Sequence, residues 1–547
     1  MGGDGEAGDG EVGDGATDWF LDADGRGNPA SRLRPWTSGN RVEPLVHGRT
    51  YFPRLADTLA GVGPGDLVLV AGWRGDPDEL LTDDGPTVGE ALSAAARRGA
   101  TVRGLLWHSH LDAFRLTHEE NRGLALSVED AGGRVLLDQR VRPFGCHHQK
   151  FVVVRHAGRP ERDVAYAGGL DLGHGRRDDD LHHGDPQTRR FADVYGPTPA
   201  WHDVQVAVCG PAVADVEDSF RERWEDDSPV SLLLWHVVPD LVHGVDRRAD
   251  PLPPPRPAPA PHGSCAVQVL RTYPRRHVRH HPFAPSGERS VARAYLRALR
   301  RARRLVYVED QYLWSTEVAK VFADALRDNP RLQLVAVVPR HSENGGAGDL
   351  PMSVGHARAL RRVKDAGGRR VVVVDLENDR GLPVYVHAKV CVVDDVWACV
   401  GSDNFNRRSW TYDAELTVAV LDAARDERVP ADPAGLGDGA RVFARGLRLR
   451  LMAEHLGLTD ADGRLEHPAA ADHLLDPDAA VHAVRACAEE VDRWHGRGRR
   501  GPRPHGRLRS HPWERPRAWQ VALGAPAYHL TVDPDGRPRA LRRRGGY

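Results

Sequence analysis

The chain has 547 residues, 28% charged and 40% hydrophobic, with a formal net charge of −2. That length supplies core for two ordinary domains or one bilobed unit, and the near-neutral balance excludes a global preference for anionic partners. Six cysteines in so long a chain make no disulfide framework. No apolar run approaches the roughly 18 residues of a membrane-spanning helix.

Met1–Gly15 is acidic and Gly-rich and is expected to be poorly ordered, as part of an N-terminal segment over 1–40. It lacks the basic-then-apolar order of a signal peptide, so a soluble, cytoplasmic protein that meets membranes only peripherally is expected. A buried strand is predicted over Asp66–Trp73, a helix over Val88–Arg98 and a strand over Thr101–Trp107. Asp130-Ala-Gly-Gly-Arg134 then leads into the β-rich Val135–Asp138. His148-Gln-Lys150 opens Phe151-Val-Val-Val154, and a third strand ends at Gly168-Gly169. Asp203 precedes a further strand, Val204–Val208. Pro251–Pro261 reads as an extended linker.

The same order then returns. Leu305–Tyr312 is strand-like, Glu317–Arg327 helical and Leu332–Pro339 strand-like. Asp365-Ala-Gly-Gly-Arg369 leads into Val371–Asp375; His387-Ala-Lys389 opens Val390-Cys-Val-Val393; and a third strand ends at Gly401-Ser402. Glu415 precedes Leu416–Val420 as Asp203 precedes its strand. Landmarks repeating at a nearly constant offset mark an internal duplication. Alternation of strand and helix predicts an α/β fold: duplicated, mixed, largely parallel β-sheet halves with helices on both faces, the active site lying between the halves on a pseudo-two-fold axis. The halves are placed at 41–245 and 262–460, joined by a linker over 246–261. A C-terminal segment, 461–547, holds one amphipathic helix (Asp476–Trp494), and Arg493–Arg517 is expected to be a weakly packed, solvated tail. Cys391 and Cys399 read as small core hydrophobes, and His277, His280 and His281, among arginines, as solvated.

Of 75 basic residues all but four are arginine; the exceptions are Lys150, Lys320, Lys364 and Lys389. A GC-rich genome drives Lys to Arg wherever Arg serves, so a retained lysine marks a place that needs a compact point charge. Two of the four stand two residues after a histidine. In a strand, residues i and i+2 share a face, so His148 projects with Lys150 and His387 with Lys389, while Gln149 and Ala388 face away. Two imidazoles and two ammonium groups converging on one pocket suit phosphodiester chemistry. The lysines neutralise the non-bridging oxygens, one imidazole attacks phosphorus, and the other protonates the leaving alkoxide and later activates water. No metal or other cofactor is expected. Asp203 and Glu415 are the candidate carboxylates for fixing the histidine tautomers. Asp171 and Asn404 follow the small-residue pairs Gly168-Gly169 and Gly401-Ser402; Asn404 suits a phosphate oxygen, and Asp171 a loop or lysine. Cys146-His147-His148 has no Cys-x-x-Cys partner at zinc-ligand spacing.

His148-Gln-Lys150 and His387-Ala-Lys389, followed by Gly-Gly and Gly-Ser-x-Asn, resemble the paired HKD motifs of the phospholipase D superfamily. The second copy is complete through Asp394 and Gly401-Ser-Asp-Asn404-Phe-Asn406-Arg-Arg-Ser409. The first carries the His-His-Gln-Lys and Gly-Gly-x-Asp-Leu wording of phospholipases D proper. Trp201-His-Asp203, Phe220-Arg-Glu-Arg-Trp224, Tyr307–Tyr312 and Leu447–Gly457 agree, so the resemblance spans about 40–460. It implies that His148 is the nucleophile and His387 the general acid/base, that Asp203 and Glu415 orient them, and that Gly169, Asp171, Ser402 and Asn404 line the substrate site. One departure is that Arg155 replaces the first motif's Asp, with Asp163 as candidate substitute. The expected activity is metal-independent hydrolysis of a glycerophospholipid such as phosphatidylcholine to phosphatidate and head group, with transfer to alcohols as a variant. The expected partner is phospholipid at a membrane surface, not nucleic acid, and a monomer is expected. The alternatives are a cardiolipin synthase-like phosphatidyltransferase, a nuclease, and a non-catalytic phospholipid- or phosphate-binding relative. The loops His174–Arg190 and Arg340–Pro351 are expected to wall the pocket.

Overall fold

Two runs of strands dominate the computed structural model, which describes residues 15–109, 117–189, 191–276, 280–313, 315–343, 350–465, 467, 469–513 and 516–547. The first run is β1 (Thr37–Val46), β2 (Leu67–Gly72), β3 (Thr101–Trp107), β4 (Arg134–Asp138), β5 (Phe151–Arg155), β6 (Val164–Gly168), β7 (Ala200–His202) and β8 (Val204–Cys209). The second is β9 (Cys265–Tyr273), β10 (Glu288–Arg289), β11 (Leu305–Glu309), β12 (Gln333–Val337), β13 (Val371–Glu377), β14 (Pro383–Val386), β15 (Val390–Val393), β16 (Trp397–Gly401), β17 (Glu415–Asp422) and β18 (Leu508–Ser510). Met1–Asp14, His277 and parts of both pocket-wall loops lie outside the described residues.

The pairings make the duplication explicit. The first sheet runs β4-β3-β2-β5-β6-β8-β1 and the second β13-β12-β11-β15-β16-β17-β9. In each sheet five of seven strands point one way, and only β5 and β8, or β15 and β17, oppose them. The edge strands β1 and β9 pair antiparallel and join the two sheets. Valine and leucine runs such as Leu67–Val70 and Val390–Val393 are buried along their whole length, as strands covered on both faces must be.

Helices Gly48–Ala60, Val88–Arg97 and His118–Glu129 cover the outer face of the first sheet; Ser290–Arg301, Thr316–Asp328 and Leu350–Gly367 cover the second. The inner faces differ from the expectation of helices on both sides. They share one core, in which Leu69, Val153 and Val206 join Val269, Val390 and Val418, and the helices Ala212–Trp224, Val442–His455 and Pro477–Gly496 enter it. The halves are therefore fused through apolar side chains, each worth roughly 1.5–3 kcal/mol when fully buried.

Two other expectations fail. The helix Pro477–Gly496, capped by Asp476, buries Val481, Val484 and Val491 as anticipated; of the Arg-rich stretch after it, 496–502 is exposed as expected, but Gly506–Leu508 is packed. Leu508–Ser510 pairs antiparallel with β13, while His495, Arg503 and Arg509 gather on the buried Glu377. His281 is also buried, 2.6 Å from Asp226 Oδ2, whereas His280 is exposed. Composition registers the positive charges but not the distant carboxylates that receive them.

Candidate active site

Both His-x-Lys segments enter their strands at the carboxyl ends of β2 and β11, because β5 and β15 run antiparallel to those strands. Each is laid against the opposite half. Cys146 N donates to Asp413 Oδ1 (3.0 Å), Ala414 N to Cys146 O (3.0 Å) and His148 N to Ala414 O (2.9 Å). In the second half β14 runs parallel to β7, and His387 N and Ala388 N both donate to His202 O (2.8 and 3.1 Å).

This crossing pairs each histidine with the other half's acid. His148 Nδ1 lies 2.9 and 3.1 Å from the Glu415 carboxylate oxygens; His387 Nδ1 lies 2.7 Å from Asp203 Oδ2. The acids are held in turn. Ser402 Oγ donates to Glu415 Oε2 (2.6 Å), and Asp203 accepts from Val204 N (2.9 Å) and Trp201 Nε1 (3.2 Å). Glycine is needed beside them, since a Cβ on Gly169 would stand 2.0 Å from Asp203 Oδ1. Gly169 and Ser402 thus serve the carboxylates directly, a use that motif position alone did not distinguish from substrate contact.

The lysines complete the cluster. Lys150 Nζ is 3.2 Å from Asp171 Oδ2 and donates to His148 O (3.1 Å); Lys389 Nζ donates to Gln311 Oε1 (3.3 Å) and to His387 O. Burial, then Lys150 and Lys389, push His148 well below the usual imidazole range; burial, then Lys389, Arg176 and Lys150, do the same to His387. The two crossed histidine–carboxylate bonds bring both His–Lys pairs to the seam between the halves. Burial pushes Lys389 down to about 7, and burial with Asp413 pushes Glu415 up to about 8. Burial also raises Asp203. With Nδ1 turned to a carboxylate, each neutral imidazole keeps a lone pair at Nε2, the atom that can attack or accept a proton.

Asp171 spends its other oxygen on Trp73 N and Arg74 N (3.0 and 3.1 Å), so it fixes a loop and a lysine. Asn404 Oδ1 is buried without a partner among the described residues. Asp394 is scaffold: it accepts from the backbone of Arg303, Arg304 and Leu305 at 2.6–2.8 Å. In the first half Asp66 at the start of β2 reverses that bond, accepting from Ala157 N in the hairpin at 2.6 Å. Arg155 points into a buried network with Asp163 (2.7 Å), Glu217 and Pro257 O (2.6 Å). Cys146 is buried and, with His147, belongs to no metal-like cluster among the described residues.

Four groups were not singled out by sequence reasoning. Trp73 places its ring 6.5 Å from His148 and 6.0 Å from Lys150 Nζ. Arg176 stacks on Trp201 at 3.6 Å and adds charge near His387, while Gln311 and Asp413 hold Lys389 and Cys146. Trp73 directly follows β2 and Gln311 lies two residues beyond β11, the corresponding strand of the other half, a position that could have flagged them; Arg176, one of many arginines, carried no signal.

The chain is similar to known proteins along both halves. A family model described as "Phospholipase D" matches residues 63–329, around the first histidine–lysine pair. A second, "Cardiolipin synthase, PLD-like domain", matches 295–429, around the other. The chain is 26% identical to phospholipase D alpha 1 of Oryza sativa subsp. japonica, over 76% of this chain and 65% of that one. It is 24% identical to phospholipase D alpha 2 of Arabidopsis thaliana, over 82% and 68%. The chain thus spans about two thirds of the length of these relatives. Among solved structures, phosphatidylserine synthase of Haemophilus influenzae aligns with a TM-score of 0.45 at 12% identity, covering 70% of this chain and 82% of that one. From the two matched models and the duplicated site they enclose, the chain belongs to the phospholipase D superfamily.

Proposed function

We propose that the chain is a phospholipase D-type phosphodiesterase that cleaves glycerophospholipids by two displacements at the crossed histidines. The observation that carries the reading is the pair of reciprocal bonds, His148 to Glu415 and His387 to Asp203, around two buried lysines. Lys150 and Lys389 hold the non-bridging oxygens. His387 enters the first step as an imidazolium facing Asp203, protonated at Nε2; His148 Nε2, unprotonated, attacks phosphorus, the bond to the head-group oxygen breaks, and the Nε2 proton of His387 goes to the departing alkoxide. Water then gives its proton to His387 and attacks the phosphohistidine, releasing phosphatidate and restoring His148. An alcohol in place of water gives transfer. Every proton in both steps has a named carrier among this chain's residues.

A lipid substrate is supported by the helix Leu234–His243, whose Leu234, Trp235, Leu241 and Val242 are exposed, Val242 by 75%. Two ring contacts lead toward it from the site: Trp73 stacks on Trp107 at 5.6 Å, and the next residue, His108, stacks on His236 at 3.6 Å. Phe144, 65% exposed, stands two residues before Cys146. An apolar rim of this kind suits peripheral docking at a bilayer surface. No helix among the described residues is long and apolar enough to cross a membrane.

Incubation with phosphatidylcholine, phosphatidylethanolamine and phosphatidylglycerol vesicles tests the reading: free head group should appear, or exchanged lipid when an alcohol is present. Silence on all three rejects it. The double change Leu234→Ser with Leu241→Ser should lower turnover on vesicles and leave a dispersed short-chain lipid unaffected; equal loss on both removes the docking role.

A further inference from the structure

Behind the strand that carries Asp203, four buried groups stand as the ligands of a tetrahedral ion would. His47, His182, His202 and Glu454 each offer one ligand atom, and these atoms all lie within 4.8 Å of one another. Glu454 Oε1 is 2.9 Å from His47 Nε2, 3.4 Å from His182 Nε2 and 3.6 Å from His202 Nδ1. Ligands about 2.05 Å from zinc at tetrahedral angles are separated by about 3.3 Å, inside that range. The three rings meet edge to face at 72–86°, with centroids 5.0–5.8 Å apart. All four residues are fully buried.

The surroundings match a metal's outer shell. His182 Nδ1 lies 2.9 Å from Asp178 Oδ2, and His202 Nε2 lies 2.6 Å from Glu309 Oε2. Glu454 Oε2 accepts from Arg450 at 2.8 Å. Carboxylates on the far nitrogens of His182 and His202 turn those imidazole lone pairs inward, as they do on metal-ligating histidines; His47 Nδ1 has no such partner among the described residues. Those inward atoms are otherwise unsatisfied: His182 Nε2 and His202 Nδ1 have no hydrogen-bond partner among the described residues. Buried polar atoms are normally paired, and a cation supplies the missing partner. His47 also holds φ 66° and ψ 159°, a region open almost only to glycine, and His182 holds φ 57°. Side chains at such positions are retained where the ring itself is required.

We propose that His47, His182, His202 and Glu454 bind one zinc ion as a closed structural site. Three imidazoles, one carboxylate and no thiolate in a tetrahedral array select zinc over calcium or magnesium, which take six or more oxygens. The ion would staple the halves, three ligands coming from the first and Glu454 from the second. It would also hold β7, whose His202 carbonyl accepts from His387 N and whose next residue is Asp203. The competing occupant is protons: the same cluster held by imidazolium groups facing Glu454, Glu309 and Asp178.

The test uses the full chain without a histidine tag, grown with zinc and assayed by plasma mass spectrometry. One zinc per chain is expected, and a strong chelator should lower the melting temperature until zinc chloride restores it. Asp178→Asn, which leaves all four ligands in place, should weaken zinc about 10–100-fold. His183→Asn, at an exposed neighbour, should leave the metal content unchanged. If His182→Asn fails to fold, the wild-type titration still decides. Wild-type protein that carries no zinc, and whose melting temperature ignores both chelator and added zinc chloride, overturns the site in favour of protons.

Discussion

Replacing Glu415 by glutamine should silence the site without disturbing the fold. Glu415 Oε2 takes the Ser402 hydroxyl at 2.6 Å and stands 2.9 Å from His148 Nδ1. Ser402 Oγ also accepts from Leu416 N at 3.1 Å, which commits its own proton to residue 415. The single amide oxygen of glutamine must therefore face Ser402, and its NH2 must face His148. That NH2 donates to Nδ1, drives the imidazole proton to Nε2 and removes the lone pair that attacks phosphorus. Exchanging an orienting carboxylate for its amide costs about 10⁴-fold in turnover, or about 5 kcal/mol of transition-state stabilisation. The assay is head-group release at saturating lipid, with an unchanged melting temperature as the control for folding. A phosphatidyl ester of p-nitrophenol adds a second leg, because its leaving group needs no proton. Glu415→Gln should abolish the p-nitrophenol burst, whereas Asp203→Asn should keep the burst and lose steady turnover. A Glu415→Gln enzyme within about tenfold of wild type refutes the tautomer argument. A burst lost only in Asp203→Asn reverses the two histidine roles.

The pH profile of kcat/KM should be bell-shaped. Glu415, pushed up to about 8, must be ionised, so its limb rises with pH; Lys389, pushed down to about 7, must be charged, so its limb falls. The maximum lies at about 7.5, and a flat profile from pH 6 to 9 contradicts the assignment. Gly169→Ala should cost about 100-fold in kcat, as removal of an oriented general acid does, because its Cβ would stand 2.0 Å from Asp203 Oδ1; kinetics near wild type dismiss that crowding. Arg155→Ala strands the buried carboxylates of Asp163 and Glu217, so urea unfolding should show a loss of about 3–5 kcal/mol. Turnover per folded molecule should hold, since Arg155 sits five strand residues, about 16 Å, from Lys150.

The duplication could be read from residues because it is local wording: Asp-Ala-Gly-Gly-Arg before a β-run, then His-x-Lys, then small residues. The equivalence of β2 with β11 and of β5 with β15 follows from the same runs. The crossing of His148 to Glu415 is invisible at that level, because the partners lie 267 positions apart and either acid could serve either histidine. Arg155 and the packed C-terminal stretch were opaque for a related reason. A buried arginine is stabilised by carboxylates such as Glu217 and Glu377, whose proximity only the folded chain creates. His47, His182, His202 and Glu454 come from four separate elements without regular spacing, so no ligand motif announces them.

The most direct measurement is the site of covalent phosphate during turnover. Quenching the enzyme with a slowly hydrolysed phosphatidyl ester and mapping the adduct by mass spectrometry should place it on His148, with none in His148→Ala. An adduct confined to His387, or none under conditions where head group is being released, would contradict the two-displacement account.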